Sequence, residues 1–463
     1  MSLRVGILWA ALGLTSALAL SSADGTAQTV TDVISFTGDN SLGTPVMTPA
    51  QGRNAEIYGT SFDPKGANGS VFSLTTSGVA TVLFAFDYTT GSGPLAGLTL
   101  ATDDNYYGAT GSGGTFGLGV LFRISANGSY TVLHDFSGGD GAGPIANPVQ
   151  ASDGNLYGTT SGDAGVYAPT VYKLTLSGTF TTMFQFTNAQ GKIVGGPLVQ
   201  GSDGNLYGTA ESGGVSDNGT IFKISTSGAL LNDYSFPGGA AGATPIGTLV
   251  QGKDGNFYGN TYTGGSSGLH AYGTVFKMNR QGVVSTLYTF QGGADGAYPE
   301  GGLMQATDGN LYGTTALGGS SGFGTIFKIS TRGSYQQLYS FTGTTGESPG
   351  PPPLQHTNGL LYGGTEFGGT YGYGVIYSLD MGLGPFITFV RANGKVGQKA
   401  QILGQGLTGT TSVTFNGLPA SSFTVVSDTY MTAVVPSGAT SGTVTVKTPS
   451  GTLISNKTFR VSK

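Results

Sequence analysis

Short runs in which apolar and polar residues alternate, bounded by Gly, Asp and Ser, return in the same order along most of the chain. In the clearest copy they are Gly196 to Gly201 (a), Asn205 to Ala210 (b), Thr220 to Ser225 (c) and Ala229 to Phe236 (d). Alternation of β-branched and aromatic residues between turn formers predicts strands. Tight turns at Asp203-Gly204 and Ser227-Gly228 join a to b and c to d, and looser Gly-rich connections join b to c and d to the next a. Asp-Gly-Asn, present from Asp153, Asp203, Asp254 and Asp308, is expected to form a two-residue hairpin. No helical period follows the N-terminal apolar run, so the expected class is all-β.

The copies align on a Tyr-Gly pair whose tyrosines are Tyr58, Tyr107, Tyr157, Tyr207, Tyr258, Tyr312 and Tyr362. A period of about 50 residues belongs to stacked supersecondary units. Each four-stranded unit is too small to bury its own faces, and a closed ring of them leaves only short protected edges. The expectation is a seven-bladed β-propeller over residues 28–382. The last repeat lacks its own strand d, and a spare d-like run, Val30 to Gly38, precedes the first. That run is expected to complete the last blade and lock the ring. From residue 383 to 463 the pattern becomes one of short alternating strands, read as a small immunoglobulin-like β-sandwich.

Composition sets the compartment. Arg4 precedes an apolar run from Val5 to Leu14, small residues follow, and cleavage after Ala19 or Ala27 fits a signal peptide over residues 1–27. The chain is therefore expected to be secreted, extracellular or at the cell surface, with no membrane insertion once the leader is gone. There is no Cys, so no disulfide frame supports it. Charged residues make up 9% and the net charge is −5, with no Lys/Arg cluster, which argues against nucleic acid. A monomer is expected.

Two resemblances follow from the motifs. Gly394 to Gly397, the alternating strand from Ala400 to Leu407, and Val413 to Gly417 resemble the IPT/TIG immunoglobulin-like domain. Asp153 to Thr160, the Gly-Gly of the next loop and Gly219 to Ser225 resemble the bacterial secreted tandem-repeat family called GloVer, over about residues 30 to 380. That resemblance implies export and repetition, and implies no reaction. Members often carry C-terminal anchoring signals, whereas the sandwich stands in that place here.

Chemistry is expected on the face that holds the b–c and d–a loops, because ligand contacts concentrate on loops held by a rigid scaffold. Its aromatics are Phe116, Tyr167, Tyr262, Tyr272, Phe323, Phe367, Tyr371 and Tyr373. Rings stack on sugar CH faces while Asp295, Glu300, Glu211, Asp217 and Glu366 accept hydroxyl hydrogen bonds. The competing reading is that these rings fold their own loops. The candidate ligand contacts are Tyr262, Tyr272, Tyr371, Tyr373, Phe323, Asp295, Glu300 and His270. A glutamine closes strand a in six repeats (Gln51, Gln150, Gln200, Gln251, Gln305 and Gln355), and such repetition suits a structural bond better than a site. The three histidines, His134, His270 and His356, show no metal-ligand spacing, and neither metal nor cofactor is expected. The sequence points to an exported non-enzymatic protein whose loop face contacts an extracellular glycan or protein. The alternative is an extracellular carbohydrate-active hydrolase or lyase with its site in the funnel.

Overall fold

In repeat after repeat, the glycine that follows the repeated tyrosine lies opposite an aromatic residue of strand c. Gly208 pairs with Phe222 across strands b and c, and a Cβ on it would stand 2.4 Å from that ring. Gly59, Gly108, Gly259 and Gly313 hold the same place under Phe72, Phe122, Phe276 and Phe327. The Tyr-Gly pair is thus a packing requirement of the sheet.

The a–b turn departs from the two-residue hairpin. The Gly201 N–H donates to Asn205 O at 2.8 Å and the Gly204 N–H to Gly201 O at 3.0 Å, leaving a three-residue loop, Ser202 to Gly204. Only Gly204 takes a positive φ, +84°, as in a type I turn followed by a left-handed residue. Asp203 is occupied elsewhere: its carboxylate caps the Asn205 N–H at 3.1 Å and accepts the Tyr207 hydroxyl at 2.8 Å. Strand a is also shorter than Gly196 to Gly201, running Val199–Gln200. Pro197 has no N–H to give, and a Cβ on Gly196 would lie 2.6 Å from Gly247 O of the next repeat.

The computed structural model describes residues 28, 30–38, 42–45, 49–62, 68–162, 166–265 and 271–462. The expected leader and His270 lie outside the described residues. Within them the repeats form seven antiparallel sheets, six of four strands and one of five, in a propeller-like series. One 3-10 turn, Gly239–Ala241, is the only helical element described. Apolar clusters fill the seams between consecutive sheets, one of them joining Tyr157 and Phe186 to Leu198, Leu206 and Phe222.

The repeated glutamines are the rivets between repeats. Gln200 accepts the Ser152 N–H at 2.8 Å and donates to Gly204 O at 2.9 Å. Gln150, Gln251, Gln305 and Gln355 likewise take a backbone N–H from the turn of the preceding repeat. Gln51 reaches the last repeat, donating to Thr357 Oγ1 at 2.7 Å and accepting its N–H at 2.9 Å. The N-terminal strand, Val30–Ser35, pairs antiparallel with Val375–Leu379 of the last repeat. First and last repeats are therefore joined twice, as the spare strand leads one to expect.

The C-terminal segment forms two four-stranded sheets around Ile387, Phe389, Ile402, Met431, Val444 and Phe459. It is docked on the a–b turns. Thr429 Oγ1 donates to Arg53 O at 2.6 Å, Gln401 to Thr102 O at 2.9 Å, Asn393 to Ser152 O at 3.2 Å and Arg460 to Gly201 O at 2.9 Å. Leu403 and Tyr430 pack with Tyr58 and Tyr106, and the Arg53 guanidinium lies 4.5 Å over the Tyr430 ring. In a meander the a–b turns and the b–c loops lie at opposite ends, so the face with the long loops is left open.

Candidate functional site

The position four residues after the repeated tyrosine lies at the open-face end of strand b, and it varies among the repeats: Phe62, Gly111, Ser161, Glu211, Tyr262, Ala316 and Glu366. At the entry to strand a, five residues before the repeated glutamine position, repeats 2 to 7 carry Leu95, Ile145, Gly195, Ile246, Glu300 and Gly350. Size is exchanged between the two positions. A Cβ on Gly195 would lie 2.4 Å from Glu211 Oε1, and one on Gly350 would lie 3.6 Å from Glu366 Oε1. In the sixth repeat the acid is at the strand-a entry, Glu300, and the position after strand b is the small Ala316. Repeats 4, 6 and 7 each place one glutamate at the mouth.

Backbone closes the space beneath them. A Cβ on Gly247 would come within 2.5 Å of Gly301 C, and one on Gly301 within 2.2 Å of Gly350 O. Only glycine allows the strand entries of repeats 4 to 7 to approach this closely, and they form the floor of a cup.

The three carboxylates are half-buried. Among the described residues none has a hydrogen-bond or ion-pair partner. Burial raises the Glu211 and Glu366 carboxyls above the usual range. Glu300 is pushed up to about 7, first by burial and then by the charges of Glu366 and Glu211. Among the described residues no cation contributes to this shift. Lys192, on a d–a loop of the same face, is held 2.7 Å from Asp217.

Two tyrosines border Glu300. Tyr262 and Tyr298 have ring centroids 5.0 Å apart, and Tyr298 also meets Tyr272 at 5.8 Å. Burial first, and then the Glu300 charge, raises the Tyr262 phenol. Tyr298 adopts φ +57°, a conformation costing a bulky L-residue roughly 1–2 kcal/mol. The equivalent residues Gly93 and Gly143 take φ +61°, so the fold demands this backbone and Tyr298 is seated there despite it.

Tyr262 and Glu300 thus come together at the cup, with Glu211 and Glu366. Tyr272 stands behind Tyr298, its ring 2.4 Å from where a Cβ on Gly292 would be. Phe323 and Tyr373 cover Gly343 and Gly38 in the same manner, which is the loop-folding role. Asp295 accepts the Tyr288 hydroxyl and the Gln291 N–H, both at 2.9 Å, and shapes its own d–a loop. Tyr371, Phe116 and Phe367 stand exposed on the open face. His134 is bonded to Asp140 at 2.7 Å and stacked on Phe180, and His356 is buried at the a–b end. Tyr298 went unnoticed in the sequence; its signal is a bulky residue where two aligned repeats have glycine.

The class these features define is a propeller-like all-β protein. The Gloeobacter/Verrucomicrobia repeat matches the chain three times, over residues 19–165, 126–306 and 266–418. The chain belongs to that family. No curated protein sequence matches it. Among solved structures it is similar to hydrazine synthase of Kuenenia stuttgartiensis, with 12% identity, TM-score 0.50, and 71% of this chain and 93% of that one covered. It is also similar to the periplasmic gluconolactonase PpgL of Pseudomonas aeruginosa, with 16% identity, TM-score 0.48, and 71% and 96% covered. At such identities the likeness concerns the fold alone.

Proposed function

We propose that this protein is an exported seven-bladed propeller carrying an IPT/TIG-type immunoglobulin-like module, and that it binds an extracellular glycan in the cup without transforming it. One observation carries the reading: unpartnered Glu211, Glu300 and Glu366 stand beside the Tyr262–Tyr298 pair at the centre of the face left open by the C-terminal module. Leaving half-buried carboxylates without partners costs stability, and a ligand hydroxyl or ammonium would repay it. The exposed rings of Phe116, Phe367 and Tyr371 extend the same face as stacking surfaces for a longer chain.

A hydrolase or lyase is the second reading. Glu300, its carboxyl raised to about 7 beside two further glutamates, resembles a general acid tuned by its environment with carboxylates at hand to act as base. The test is to titrate the full-length protein against a panel of soluble and insoluble polysaccharides while following reducing ends and unsaturated products in the same tubes. Binding without product is expected. Product that disappears in Glu300→Gln would establish the enzyme reading, and silence on every glycan would overturn both.

A further inference from the structure

The fifth repeat departs from its neighbours below the mouth. Two residues after the repeated tyrosine, repeats 1, 3, 4 and 6 carry Thr60, Thr159, Thr209 and Thr314, each hydroxyl donating to a carbonyl at the strand-a entry of the following repeat. Repeat 5 has Asn260 there. Its Nδ2 makes the equivalent bond, to Gly302 O at 3.1 Å. The amide, unlike a hydroxyl that has donated its proton, retains a strong carbonyl acceptor, and Asn260 Oδ1 has no partner although the residue is 1% exposed. Such an orphan is uncommon in a folded protein and calls for a donor. Asn260 shares its strand face with Tyr262, two residues on, and its amide is fixed two residues from Glu300. It is thereby placed below Tyr262 on strand b and next to the strand-a entry that carries Glu300.

Apart from the two phenols and the proton that Glu300 holds below about pH 7, the polar groups around this seam offer acceptors: three carboxyls and one amide oxygen. A neutral sugar offers lone pairs as well as protons, so part of its hydrogen-bonding capacity would face a wall of acceptors. An ammonium offers three donors and no acceptor, carries the charge the glutamates lack, and is attracted to the faces of tyrosine rings. We propose that the cup takes a saccharide bearing a free amino group, its ammonium held among Glu300, the flanking glutamates and the Asn260 carbonyl, with the sugar ring against Tyr262 and Tyr298. This rests on the glycan-binding reading and narrows it to a substrate class.

The test is calorimetric titration of the full-length protein, near neutral pH and at moderate salt, with the glucosamine tetrasaccharide and with its N-acetylated counterpart. The amine is expected to bind at least about tenfold tighter, the worth of one charge-assisted contact. Glu300→Gln should weaken it by about the same factor. Asn260→Thr restores the residue used in four other repeats and keeps the bond to Gly302 O, so it should leave the melting temperature in place while lowering affinity for the amine. Tighter binding of the acetylated oligomer, lost in Tyr262→Ala, would overturn the amino-sugar assignment and leave the glycan reading standing. Amine binding indifferent to Asn260→Thr and Glu300→Gln would also overturn it, as counterion attraction to an acidic protein. Failure of both oligomers to bind, alongside silence on the wider panel, would remove the glycan reading itself.

Discussion

Glu300 is where residue-scale physics is most exposed to measurement. Its carboxyl is raised in the folded chain to about 7, facing Glu211, Glu366, Tyr262 and Tyr298. The folded state therefore holds a proton that the unfolded state has released between the ordinary carboxylate range and about pH 7. Stability tied to this group is greatest below that window and falls as pH rises through it. The cost of ionising it is at most roughly 3.5 kcal/mol, at about 1.4 kcal/mol per pH unit. Glu300→Gln removes that cost, so the variant should melt higher than the wild type at about pH 8 and level with it at about pH 5. Parallel melting curves for the two proteins across this range would show that the carboxyl is well solvated and would undo the electrostatic description of the cup.

At the scale of elements, the protein is a set of interchangeable sheets tied by two devices, the glutamine rivet and the shared strand. Removing Val30–Ser35 leaves Val375–Leu379 as a bare edge and uncovers Phe36, Ile376 and their neighbours. That deletion should lower the melting temperature far more than deletion of residues 384–463, whose sheets enclose a core of their own; equal losses would contradict closure by the first strand. Much of this was legible beforehand, because a repeat prints its requirements several times. Tyr207, Gly208, Asp203 and Gln200 each recur, and each has one physical task that returns with it. The turn was misread because Asp-Gly carries a hairpin preference that yields once the aspartate is committed to a tyrosine hydroxyl four residues on. The cup was harder to see, since a site consists of what does not repeat. Glu211, Glu300 and Glu366 were visible as acids, but their convergence depends on Gly195, Gly350 and Ala316 making room. Asn260 differs from threonine by little in sequence and by one unpaired acceptor in space.

For the molecule as a whole, the consequence of the fold is polarity. The C-terminal module bonds to turns of several repeats and seals the a–b end, with Arg460 reaching both Gly201 O and Gln251 Oε1. Nothing in the sequence announces this docking, because Arg53, Arg460 and Gln401 belong to no pattern and contribute singly. The module is a lid on one end of the ring, and the acidic cup opens at the other. The most direct measurement compares the wild type with the combined Glu211→Gln, Glu300→Gln and Glu366→Gln variant on the same glycan panel, with melting temperatures recorded at about pH 5, where the substitutions matter least to stability. Loss of glycan binding by a variant that melts like the wild type is the predicted result. Binding retained at wild-type strength would place the ligand elsewhere on the molecule and contradict the account.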